Sequence, residues 1–114
     1  MSKMAILMSH MEGFGVPGSI PTVRNNPLDL RHGPNASHPP DDPDGIGYYD
    51  SPELGWQDGE RQLRLYADRG LTVSQAINEF APPSENNTQA YLDYVCEGLG
   101  CTSDALVSSV LDFP

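Results

Sequence analysis

Basic residues are scarce in this chain. Lysine and arginine together number 6 against 16 aspartates and glutamates, a formal net charge of −10 over 114 residues. No Lys/Arg cluster exists that could track a phosphate backbone, so nucleic acid is excluded as an expected partner. The same charge opposes encounter with any anionic polymer at low salt. Long hydrophobic runs are also missing. The most apolar stretch near the start, Met4-Ala-Ile-Leu-Met8, is broken by His10 and Glu12 before a small-residue cleavage site occurs, so neither a secretory signal nor a membrane span is predicted. The expectation is a protein made in the cytoplasm without a signal peptide and without membrane insertion. Only two cysteines are present, Cys96 and Cys101. They read as reduced, partly buried thiols or as a local disulfide across a helix end. His10, His32 and His38 form no ligand pattern with them, and no metal or cofactor is expected. No Gly-x-Ser-x-Gly elbow, P-loop, dinucleotide fingerprint or His-Glu-x-x-His occurs.

What the chain does have is Gly and Pro, 11 of each, most of them between Gly13 and Pro52. The length fits one domain, 1–114. With 38% hydrophobic and 19% charged residues, that domain is expected to be globular. Ser2 can cap a first helix that ends near Gly13, with Met4, Leu7, Met8 and Met11 as its apolar stripe. From Val16 to Asp50 turn chemistry dominates, which predicts a long irregular segment with a short hairpin ending at Ile46-Gly-Tyr-Tyr49. Helices are predicted from Ser51-Pro52 to about Arg69, from the capping box Thr72-Val-Ser-Gln75 through Phe80, from Asn87 or Thr88 to Gly98, and briefly after Ser103. Ala81-Pro82-Pro83 stops the second of these. The predicted class is α+β, mainly α, with a cleft between the first helix and the irregular segment.

Chemistry can sit at three places. Glu12 closes the first helix just before Gly-Phe-Gly, among Met8, Met11 and Phe14; desolvation and the helix dipole there would both raise a carboxyl pKa, as a general acid requires. The bland reading is a solvated surface glutamate. Arg24-Asn25-Asn26-Pro27 with Asp29 reads first as a turn, and Ser84-Glu85-Asn86-Asn87-Thr88 first as an acidic helix cap. The adjacent amides of the latter could instead hydrogen-bond acetamido and hydroxyl groups of a sugar. Tyr48, Tyr49 and Tyr91 could offer stacking faces to pyranose rings, although tyrosines at such spacings are more often packing residues.

Taken together, Ala5-Ile-Leu-Met-Ser-His-Met-Glu-Gly-Phe14, Val16-Pro-Gly-Ser19, Arg24-Asn-Asn-Pro27 with Asp29-Leu30, and Ala81-Pro-Pro-Ser-Glu-Asn-Asn-Thr88 with Tyr91 resemble a family of small phage and prophage proteins. Its members are described as structural proteins or muramidases and look like lysozyme-like domains related to lytic transglycosylases. The resemblance implies a lysozyme-like single domain that cleaves the β-1,4-linked MurNAc–GlcNAc backbone of peptidoglycan, as a hydrolase or a lytic transglycosylase. It places the catalytic acid at Glu12. The second carboxylate would be Asp29 or Glu85, with Glu85 leading if it faces the cleft, and Asn25, Asn26, Tyr48, Asn86, Asn87 and Tyr91 would bind substrate. Peptidoglycan strands are the implied partner, reached by release at lysis or by riding in a phage particle. The rival expectation is a non-catalytic virion or wall-binding protein that keeps the cleft. An intracellular helical adaptor is a third, whose signature would be a large exposed apolar patch.

Overall fold

Serines, prolines and glycines set the element boundaries. A computed structural model describes residues 1–111. It contains α1 (Lys3–Glu12), α2 (Ile20–Val23), α3 (Pro52–Asp68), α4 (Val73–Phe80), α5 (Thr88–Leu99) and α6 (Val107–Val110). Ser2 accepts the Ala5 backbone N–H at 3.1 Å to open α1, and Gly13 closes it in the left-handed conformation, φ 87°. Ser51 caps α3 with Pro52 in its first turn, and Thr72 and Gln75 form the expected reciprocal capping box on α4. No helix among the described residues is long and apolar enough to cross a membrane.

The molecule is mainly helical. The hairpin expected to end at Tyr49 reduces to one bridge, Ser37 to Tyr48, and a second bridge joins Thr72 to Leu106. The irregular segment also holds a turn of helix that its turn-rich sequence hides: Ser19 caps α2 by accepting from Thr22 N–H, with Pro21 in the first turn. Met11 departs from its expected place as well. The buried face of α1 is Met4, Ala5, Met8 and Ser9, while Met11 is 38% exposed. A stripe through 5, 8 and 9 next comes round at position 12, so the inward-facing place in the last turn belongs to Glu12.

The core joins Met4, Met8, Leu28, Leu63, Tyr66, Val73, Ile77, Tyr91, Val95 and Val107. It draws on five helices and on the irregular segment through Leu28 and Leu30. α1 packs on α5 and α3, and α5 on α4. Asp58 of α3 ties down the segment's far part. It is 3% exposed and accepts from Tyr49 Oη at 2.9 Å, Asn35 N at 3.0 Å and Asn35 Nδ2 at 2.8 Å, which satisfies a charge buried inside the fold. Cys96 and Cys101 are free thiols at the end of α5, and burial raises Cys96 to about 11.

Candidate active site

The loop after α2 is shaped by one buried amide. Asn26 is fully buried; its Nδ2 donates to Leu30 O at 2.8 Å and Gly47 O at 2.9 Å, and its Oδ1 accepts from Leu30 N at 2.9 Å. These bonds curl residues 26–30 into a turn that puts Asp29 in the left-handed region, φ 55°, a conformation aspartate tolerates at some cost. Asn25 is also left-handed, φ 54°, and donates to Tyr49 O at 3.0 Å. Both asparagines are therefore occupied in building the loop. Asn26 in particular has no surface to offer a ligand, which corrects its expected substrate-binding role. Replacing Asn26 with alanine would strand Leu30 N and Gly47 O in the interior. A stability loss of about 2–4 kcal/mol is expected in thermal denaturation, and a smaller change than about 1 kcal/mol would mean the loop is held by other contacts.

The turn delivers Asp29 to the end of α1. Glu12, Asp29, Arg31, Ile46, Glu85 and Asn86, with Leu28, Leu30, Phe80 and Ala81 behind them, line a cleft of about 300 Å³. Glu12 is half-buried there, and its pKa rises from 4.5 to about 6. Loss of solvent is the main cause, the negative charge of Asp29 adds to it, and a hydrogen bond from Tyr91 opposes it. Asp29 is itself pushed upward by burial, against the pull of Arg24 and Arg31. Its Oδ1 is a buried acceptor without a hydrogen-bond partner among the described residues. The charge of Asp29 thus favours the protonated form of Glu12 in the same cleft.

Tyr91 is 3% exposed and cannot stack a sugar ring, so its expected role is corrected too. Its hydroxyl donates to Met8 O at 3.4 Å and lies near enough to the Glu12 carboxyl to hold that group's pKa down. With Glu12 ionised the phenol donates to the carboxylate; with Glu12 protonated it can turn its hydrogen to the Met8 carbonyl and accept the acid's proton instead. Either protonation state is thus accommodated without an orphaned donor.

The remaining expected positions divide. Glu85 and Asn86 reach the cleft as exposed residues at its lip, close in space to Glu12 despite the sequence separation. The carboxylate whose charge acts on Glu12 is Asp29, not Glu85. Asn87 is turned to capping α5, accepting from Ala90 N at 3.2 Å. Tyr48 is 38% exposed but does not line the cleft, and one face of its ring is covered by the Arg24 guanidinium at 4.3 Å. Arg31 and Ile46 line the cleft without having stood out in the sequence; the one available signal was that Ile46 is an isolated aliphatic in a Pro/Asp/Gly-rich stretch. A larger depression of about 440 Å³ around Met1, Trp56, Arg61 and Arg64 shares no residue with the cleft. Its Glu60 is engaged by the Ser2 backbone N–H, and it has no pair of half-buried carboxyls like Glu12 and Asp29.

No protein-family model, curated protein or solved structure matches the chain. The chemistry of the cleft must therefore be inferred from the groups that line it. A carboxyl that keeps its proton up to about pH 6, a second carboxyl beside it, a guanidinium and a lip of polar side chains make a site suited to acid-assisted cleavage of a polar substrate.

Proposed function

We propose that the chain is a lysozyme-like glycosidase that hydrolyses the β-1,4 MurNAc–GlcNAc backbone of peptidoglycan. The observation that carries this reading is the convergence of Glu12, at the end of α1, and Asp29, on the Asn26-built turn, on one open cleft. Glu12 is the acid. Its proton goes to the glycosidic oxygen as the bond to the anomeric carbon breaks, and the leaving sugar departs as an alcohol. Asp29 faces the positive charge that develops on the ring and guides the water that completes hydrolysis; the presence of this second carboxylate favours a hydrolase over a transglycosylase. Glu85 and Asn86 hold substrate at the lip. The motif set supports a phage-derived protein that reaches the wall at lysis or as part of a virion.

Mass spectrometry of purified sacculi incubated with the protein tests the assignment. Reducing ends on MurNAc are expected. Reducing ends on GlcNAc would move the cut to the other bond, anhydro-MurNAc would make the protein a transglycosylase, and intact strands would leave the non-catalytic wall-binding reading. Tyr91→Phe checks the acid separately. Its hydroxyl stabilises ionised Glu12, so its removal should carry the Glu12 pKa, and with it the alkaline limb of the kcat/KM profile, upward from about 6. A limb that stays in place would mean that Tyr91 only packs.

A further inference from the structure

We propose that Cys96 and Cys101 are a thiol-modification site, a pair that reacts with low-molecular-weight disulfides to close an intramolecular disulfide across the end of α5. The site is independent of what the cleft cleaves.

Its geometry starts from how α5 ends. Gly100 adopts the left-handed conformation, φ 67°, and two hydrogen bonds run backwards at this turn, from Gly100 N to Glu97 O at 3.3 Å and from Cys101 N to Cys96 O at 3.1 Å. In helix ends of this kind the two residues joined by the longer-range bond also bring their side chains together, and the contact is ordinarily apolar. Here both residues are cysteines. Both thiols are partly exposed, pack against the rim of the core and lie close enough to hydrogen-bond each other. Cysteines whose side chains already meet on a fixed backbone satisfy the geometric condition for a disulfide. Reduced thiols and a local disulfide are then two states of one site.

The reaction is an exchange. The Cys101 thiolate, its proton lost to solvent, attacks one sulfur of the small disulfide, whose S–S bond breaks and whose other half leaves as a thiolate that takes up a proton. Cys96 then gives up its proton and attacks the Cys101 sulfur of the mixed disulfide, which forms the Cys96–Cys101 bond and releases the second half of the reagent as a thiol. The protein dithiol loses two electrons and the small disulfide is reduced to two thiols. Burial sets the order: it pushes the Cys96 thiol up to about 11, so Cys96 keeps its proton in the first step. In the second step contact compensates for its low thiolate fraction.

The bond fastens a junction. Gly98, in the same turn, faces Leu7 of α1 so closely that a Cβ there would meet Leu7 Cδ2 at 2.5 Å. Directly after Cys101 the chain runs to the start of α4, where Ser103 O and Ala105 O accept from Ser74 N at 2.9 Å and Val73 N at 2.8 Å. Fraying at the end of α5 therefore loosens its contacts with α1 and α4 together, and the disulfide suppresses that fraying.

The full chain, reduced with dithiothreitol and desalted, would be incubated with excess oxidised glutathione, quenched with an alkylating reagent and weighed intact. The expected product is a single chain that has lost two hydrogens, takes no alkyl label and carries no glutathione, formed at a rate independent of protein concentration and reversed by dithiothreitol. Cys96→Ser should stop at a glutathione adduct on Cys101, whereas Cys101→Ser should react about tenfold more slowly. The oxidised parent should melt about 5 °C above the reduced one, because the cross-link restrains the unfolded chain. A lasting glutathione adduct on the parent, disulfide-linked dimers in place of the single-chain product, or two thiols that stay fully alkylated would overturn the site. Faster reaction of Cys101→Ser than of Cys96→Ser would overturn the order of attack, and an oxidised form that melts below the reduced one would overturn the fastening of α5.

Discussion

Glu12→Gln is expected to lower wall cleavage by about 10²- to 10⁴-fold, the range over which a positioned general acid acts, while making the fold more stable at neutral pH. The two effects have one origin. The amide keeps the shape of the side chain and can still accept from Tyr91, but it has no proton to give and no charge to desolvate. In the parent, burial raises the Glu12 pKa from 4.5 to about 6. Below pH 4.5 the carboxyl is protonated in both folded and unfolded chains and contributes nothing to the difference. Between pH 4.5 and 6 the folded state keeps a proton that the unfolded state releases, so stability falls as pH rises through this window. Above pH 6 the carboxylate is ionised in both states and the full cost of holding it half-buried beside Asp29 is present. The shift corresponds to about 2 kcal/mol before solvent screening and to roughly 1 kcal/mol after it. Glu12→Gln should therefore melt about 4 °C above the parent at pH 7.5 and converge with it near pH 4. Cleavage within a few-fold of the parent would sink the catalytic assignment. A melting difference that does not change with pH would sink the account of Glu12 as a desolvated acid.

Much of this arrangement was legible in the sequence because it depends on local chemistry. Ser2, Ser51, Thr72 with Gln75 and Asn87 announce helix starts through side chains that satisfy free backbone N–H groups, and Gly13 and Pro82 mark ends, while α5 runs past the expected Gly98 to a left-handed Gly100. Those signals act over three or four residues and survive without tertiary information. The errors arose where the deciding contact is distant in sequence. Asn26 looked like turn material free to meet a ligand, yet it is buried because Gly47, 21 residues on, accepts from it. Tyr91 looked like a stacking face, yet its hydroxyl meets Met8 and Glu12 across the α1–α5 contact. Asp29 was one of two possible second carboxylates, and only the fold separates it from Glu85 by setting its charge beside the acid. Met11 shows the same limit on a smaller scale: hydrophobicity placed it in the stripe, whereas the helix's angular position left that place to Glu12.

Gly55→Ala should destabilise the fold and cripple the site, against the direction helix propensity alone would give. Gly55 lies inside α3, where glycine to alanine is ordinarily worth about 1 kcal/mol of added stability. Here α3 presents Gly55 and Gly59 to the loop that carries Asp29. A Cβ on Gly55 would lie 2.1 Å from Asn25 O and 2.7 Å from Pro27 Cδ, so the first clash is with backbone and no rotamer change relieves it. The loop cannot retreat freely, because Asn25 Nδ2 holds Tyr49 O, Tyr49 N holds Arg24 O at 2.9 Å, and Asn26 holds Leu30 and Gly47. Either the helix or the loop must move by about an ångström. Overpacking of this kind costs about 1–3 kcal/mol, occasionally more, which outweighs the propensity gain. Displacement of Asp29 by a similar distance would lower cleavage by roughly 10²-fold, since catalytic geometry tolerates little error. Gly59→Ala is the control. Its Cβ would meet only the Leu28 methyls at 3.3 Å, and a flexible side chain can yield, so its melting temperature should stay within a few degrees of the parent. Thermal denaturation and sacculus clearing of the two variants side by side decide the matter. A Gly55→Ala protein as stable and as active as the parent would show that the loop does not dock against α3 at this point and that Asp29 is not positioned by it.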